Sequence, residues 1–273
     1  MKQFILFSAV QNTFTLLLQK PYHVLLSFVL DILFLLSYGF FIPPVRQQVI
    51  QQSLAITEML IQQFRTRTPI TIFHALLQEP SLLITTTLFI ALFFAIYILF
   101  QGMAWYVAHN IHEQHITLKT YLTKFVMLNL FWLPVFIIYK IVDVLFGIRG
   151  VLLLHIAKQE QTILVPLFLW STLFLFLALN FLSISCPLLR VRTSILFFKR
   201  HWKLTLCMYT LIASWLLSIV FLTKLMQLAS PGFSFVFAGI LFLFFLVFSR
   251  TFIIQTILLI EKQHHEHYVC TYY

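Results

Sequence analysis

Residues 22–42 read "YHVLLSFVLDILFLLSYGFFI", an apolar run broken by one carboxylate, Asp31, near its middle. At about 1.5 Å rise per residue, a helix of this length crosses the ~30 Å hydrocarbon core of a bilayer. Comparable runs recur at about 81–105, 123–148, 163–187, 204–226 and 233–260. The chain has 273 residues, of which 61% are hydrophobic and 10% charged, with 32 Phe and only 6 Gly. No soluble core could cover that much apolar surface, so lipid is the solvent for most of the chain. The sequence therefore predicts an all-α polytopic membrane protein with six transmembrane helices.

The formal net charge is +10, and the basic residues gather at the ends of the apolar runs. That placement suits topology and anionic headgroups, and it argues against nucleic acid as a partner. Cys186, Cys207 and Cys270 are odd in number and show no CxxC spacing, so no disulfide framework is expected.

The segments outside the spans have their own patterns. In residues 1–20, Ser8, Gln11, Asn12, Thr15 and Gln19 recur at helical spacing, which predicts an amphipathic helix lying in the membrane interface. Pro43-Pro44 is expected to end the first span. In the outer segment 45–79, Val45, Val49, Ile50, Leu54, Ile61 and Phe64 form one face of an amphipathic helix, with Gln47, Gln48, Gln51, Gln52, Glu58, Gln62 and Arg65 on the other. The piece "VLLLHIAKQEQ" after Gly150 is too short to cross. Residues 263–273 form a His-rich tail.

Lys and Arg fall more often on the side of the amino terminus, where Arg190, Arg192, Lys199, Arg200 and Lys203 share one short loop. The opposite side holds Arg46, Arg65, Arg67, Lys140, Arg149, Lys158 and Lys224. The positive-inside rule then places both termini in the cytoplasm, with the plasma membrane as the expected location.

The segment "FQGMAWYVAHNIHEQHITLKTYLTKF" and the basic "LLRVRTSILFFKRHWKL", set among six spans behind an amphipathic helix, give the chain a family resemblance. It resembles a diffuse group of uncharacterised six-helix prokaryotic membrane families. The group includes the membrane domain attached to some glycerophosphodiester phosphodiesterases. The resemblance covers nearly the whole chain and implies a fold without an activity; no phosphodiesterase domain is present.

Three sets of residues are candidates for function. Asp31 and Arg250 are ionisable groups inside spans, where an unpaired charge is costly. Counted along their helices, they lie about 13 Å and about 15 Å from the inner ends, so they are predicted to face each other. The pair either fixes helix register or lines a polar cavity with Gln101, Asn129, Asn180, Ser183 and Gln255. The basic set Arg190, Arg192, Lys199, Arg200 and Lys203, interleaved with Phe197, Phe198 and Trp202, suits anionic headgroups of the inner leaflet. His109, His112 and His115 sit at three-residue steps and share one helical side with Glu113. Neutral imidazoles and a carboxylate in that pattern are candidate zinc or copper ligands, against the plainer reading of polar residues in a wet interfacial turn.

Nothing in the sequence points to catalysis. It holds eight carboxylates, none paired for acid–base work, and no GxxxxGK[ST], HExxH or GxSxG motif. No cofactor is expected. The composition fits a non-enzymatic membrane scaffold or accessory protein with the lipid bilayer as its main partner. The alternative is a permease component with a cytosol-facing polar cavity, working with a separate membrane or ATPase partner.

Overall fold

The computed structural model describes residues 2–65, 80–112, 116–156, 188 and 191–270. They are all-helical: α1 Lys2–Gln19, α2 Pro21–Arg65, α3 Pro80–Ile111 with a π-helical turn at Tyr97–Gln101, α4 Leu118–Ile156, α5 Val191–Ala229 and α6 Pro231–Cys270. Among the described residues, five helices are long and apolar enough to cross a membrane, within α2, α3, α4, α5 and α6. The expected span at 163–187 lies outside the described residues, as do 66–79 of the outer segment.

The chain forms two compact units. The first comprises 1–34, 99–128 and 180–273, and the second 35–98 and 129–179. The first is built on α6, against which α1, α5 and the last part of α3 pack. Between Val247 and Ile257 this helix is enclosed on nearly every side: Val247, Phe248, Arg250, Thr251, Phe252, Ile253, Ile254, Thr256 and Ile257 are all buried. An all-round apolar helix belongs at the centre of a bundle. In the second unit, Tyr38 meets Phe93 edge-on, and Phe93 stacks on Tyr97.

Four expectations need correction. First, Pro43-Pro44 does not end the first span. The helix runs on through both prolines, so residues 45–65 are the second half of α2 and not a separate surface helix. Proline removes one backbone donor but does not forbid helical angles, and spans tolerate it where neighbours satisfy the freed carbonyl. Second, α4 continues past 148 to Ile156 and carries Pro134 within it, so the short apolar piece after Gly150 begins as helix. Third, residues 191–203 are not loop. They are the first turns of α5, which kinks at His201 (φ −119°, ψ 22°). Fourth, α6 continues as helix into the tail, as far as Cys270.

The first helix also differs from expectation. Ile5 clusters with Leu204 and Ile260, while Phe14 lies against Trp215 and Phe248, with ring centroids 6.0 and 4.9 Å away. Contacts therefore advance in step along α1 and α5, and in the opposite sense along α6. This sets α1 upright beside two span-forming helices and not flat beneath them. The cause is a ridge at i, i+4 spacing, Ile5, Ala9, Thr13 and Leu17, whose members are all buried. Two of the four are small, which brings the backbones close. Thr13 hides its hydroxyl by donating to the Ala9 carbonyl at 2.7 Å. Gln11, Asn12, Thr15 and Gln19 are exposed on the opposite side.

Because Ala9 has no room around it, Ala9→Leu is expected to cost about 1–3 kcal/mol by overpacking, read as a lower Tm in detergent. Gln11→Leu, on the outward stripe, is expected to change stability by less than about 0.5 kcal/mol.

Candidate functional site

The site lies where α2, α3 and α6 meet within the first unit. Asp31 is fully buried and Arg250 is 4% exposed. Arg250 Nη2 forms an ion pair with Asp31 Oδ1, joining groups 219 residues apart. Arg250 Nη1 donates to Ser27 Oγ at 2.9 Å, and Gln101 Nε2 donates to Asp31 Oδ1 at 3.1 Å. Both α2 partners stand one turn apart, so a single helical face presents hydroxyl and carboxylate to one guanidinium. The second carboxylate oxygen, Asp31 Oδ2, is buried without a hydrogen-bond partner among the described residues.

Local structure sets this geometry. Leu30 packs with Ala104 and Val107, fixing α2 against the end of α3. Gln101 closes the π-helical turn, and Gly102 follows it. A Cβ on Gly102 would stand 3.1 Å from Phe125 Cδ1 and 3.2 Å from Leu122 Cδ2, so the missing side chain is what lets α4 approach there.

Of the other proposed cavity residues, Asn129 is buried but belongs to the second unit, while Asn180 and Ser183 lie outside the described residues. Gln255 bonds to His112 and not to the ion pair. Ser27 was missed by sequence reasoning, although its place one turn before Asp31 on an apolar helix was a usable signal.

The histidines take separate paths. His109 is buried with its ring 5.1 Å from that of Tyr121, and His112 Nε2 donates to the Thr251 carbonyl at 3.3 Å. Glu113 and His115 lie outside the described residues. Among the described residues, no three His, Cys, Asp or Glu side chains are grouped to hold a metal ion. His112 stands one residue past the candidate span Pro80–Ile111. Burial lowers its pKa to about 4, with His109 and Lys20 adding to the shift and the bonds to Thr251 and Gln255 opposing it.

In the basic set, Arg192, Lys199, Arg200 and Lys203 are exposed on α5 around its kink. Lys203 Nζ stands 5.6 Å from the ring centre of Trp202, which is itself half exposed. Arg190 is outside the described residues. Comparison with protein-family models, with curated proteins and with solved structures finds no match.

Two outcomes follow. Asp31→Asn strands a buried guanidinium and is expected to cost about 3–5 kcal/mol, whereas Asp31→Leu with Arg250→Met is expected to regain most of it; thermal unfolding in detergent distinguishes them. For His112, the unfolded chain binds a proton near the ordinary 6.5 and the folded chain only near 4. Its contribution is therefore full above pH 6.5 and falls as pH drops towards 4, by at most about 3 kcal/mol. Tm measured from pH 7 to pH 5 is expected to decline in the wild type, and to decline less in His112→Asn.

Proposed function

We propose that the chain is a six-span protein of the cell membrane, with both termini cytoplasmic, that acts as a non-enzymatic scaffold or accessory subunit. One observation carries this reading: the buried pair Asp31–Arg250 takes its polar neighbours from other helices of the same unit. Asp31, Arg250, Ser27 and Gln101 are spent on joining α2, α3 and α6. A protein that organises other membrane components needs such a fixed bundle and an outward surface. The polar stripe of α1 and the basic turns of α5 supply that surface, the latter for anionic headgroups of the inner leaflet.

A permease component is the second reading, favoured by the unpartnered Asp31 Oδ2 and the π-helical turn that delivers Gln101. Turns of that kind often mark functional sites in spans. Proton flux in liposomes loaded with a pH-sensitive dye decides between the two. The scaffold reading expects flux no greater than in empty liposomes; flux abolished by Asp31→Asn would transfer the assignment to the permease. Topology has its own test. Green fluorescent protein fused after Tyr273 is expected to fluoresce, and alkaline phosphatase inserted within 66–79 to be active; the reverse pattern would overturn the orientation.

A further inference from the structure

A cleft of about 500 Å³ opens between α1 and α5, lined by Leu6, Phe7, Val10, Cys207, Thr210 and Leu211. Past Val10 and Leu211, which it shares, a second cleft of about 270 Å³ continues, with Trp215, Ser218 and Phe248 on its walls. Together they form one groove, open along its side and almost wholly apolar. Leu211 and Phe7 on its walls are 45% and 68% exposed.

We infer that this groove holds one acyl chain of an anionic phospholipid whose headgroup sits on Lys203, Arg200 and Lys199. Three observations converge on that occupant. The groove has one charged end: Lys203 lies one turn before Cys207 on the same face of α5, with Arg200 and Lys199 just before the kink at His201. All three cations are exposed. From Cys207 to Ser218, the groove is about 16 Å long at 1.5 Å per residue, close to half of a ~30 Å hydrocarbon core and so to the depth of one leaflet. The rings of Trp215 and Phe248, with centroids 4.2 Å apart, line its far half, at the depth of the bilayer midplane. A protein partner would have to match an almost wholly apolar groove wall. A flexible chain does so without loss.

The kink at His201 has a use in this arrangement. It turns the amphipathic first turns of α5 away from the line of the span, so that Lys199 and Arg200 can reach a phosphate placed above the groove mouth. Trp202 steadies Lys203 through its ring face, a contact that suits the headgroup level. This inference rests on the headgroup-contact part of the proposed function and adds to it a defined site with a lipid of one sign.

The test is native mass spectrometry of the full chain titrated with phosphatidylglycerol and with phosphatidylcholine of identical acyl chains. One phosphatidylglycerol is expected to be retained at least tenfold more strongly than phosphatidylcholine. Each near-surface charge contributes roughly fivefold, so Lys199→Gln/Arg200→Gln/Lys203→Gln is expected to remove that preference. Cys207→Trp fills the groove and is expected to weaken both lipids about equally. Equal retention of the two lipids by the wild type overturns the inference. So does an unchanged preference in the triple variant. If the triple variant loses the preference while Cys207→Trp binds like wild type, the headgroup patch stands and the groove fails. A second readout avoids the bulky substitution. In Cys186→Ser/Cys270→Ser, phosphatidylglycerol is expected to slow maleimide labelling of Cys207 at least fivefold and phosphatidylcholine to leave it unchanged. Labelling equally fast with and without phosphatidylglycerol rejects the site.

Discussion

The constraint on which the first unit depends is that α6 carries a guanidinium at the centre of its most enclosed stretch. Helices made of Phe, Leu and Ile pack against one another at many rotations and offsets with similar energies, because their surfaces are nearly uniform and lipid competes equally for them. A buried ion pair removes that degeneracy. Arg250 reaches Asp31 and Ser27 at one offset of α2 along α6, and a slip of one turn would leave both charges without water or partner. The pair need not make the bundle more stable than an apolar equivalent would; its use is to select one register.

With α6 fixed, the other helices follow by shape. The small residues Ala9 and Thr13 let α1 lie close, and Phe14 then fits beside Phe248 and Trp215, whose ring centroids are 4.2 Å apart. Ser234 at the other end of α6 donates to the Thr223 carbonyl of α5 at 2.9 Å, tying the hairpin between these two helices where Pro231 begins the second of them. A polar bond near the hairpin and a charged one deep in the bundle hold α6 at two levels.

Much of this was legible in the sequence, and the rest fails for physical reasons. The presence of the five long apolar helices among the described residues follows from composition and length alone. The Asp31–Arg250 contact follows from counting helical rise, because two lone charges at equal depth have few other ways to avoid an unpaired state. Helix ends were misjudged where proline was treated as a stop. Propensity learned in water over-weights Pro43 and Pro44, since a peptide group released into lipid has nowhere else to go and the helix is retained. The orientation of α1 was misjudged because its polar stripe was weighed and its i, i+4 ridge was not. Both patterns are in the same residues, and the ridge decides what the helix touches. The turns at 191–203 read as a loop because their charges dominate, although Ser194 is fully buried between them at the spacing of a helix.

The π-helical turn at Tyr97–Gln101 shows how one local irregularity serves two contacts. An i→i+5 turn inserts an extra residue relative to α-helical winding and rotates everything after it by about 100°. In α3 this places Gln101 towards α2, where it meets the carboxylate that Arg250 already holds. It also places the bare backbone of Gly102 towards Leu122 and Phe125 of α4. After the turn, Ala104, Trp105, Val107, Ala108, His109 and Ile111 are all buried, so the irregular turn is also the boundary at which α3 becomes an enclosed helix. The irregular turn is tolerable at that boundary because Asp31, held through the same oxygen by Arg250, gives Gln101 a fixed acceptor. The charge pair and the wide turn therefore depend on each other: the pair gives the turn its anchor, and the turn brings the third polar group to the pair.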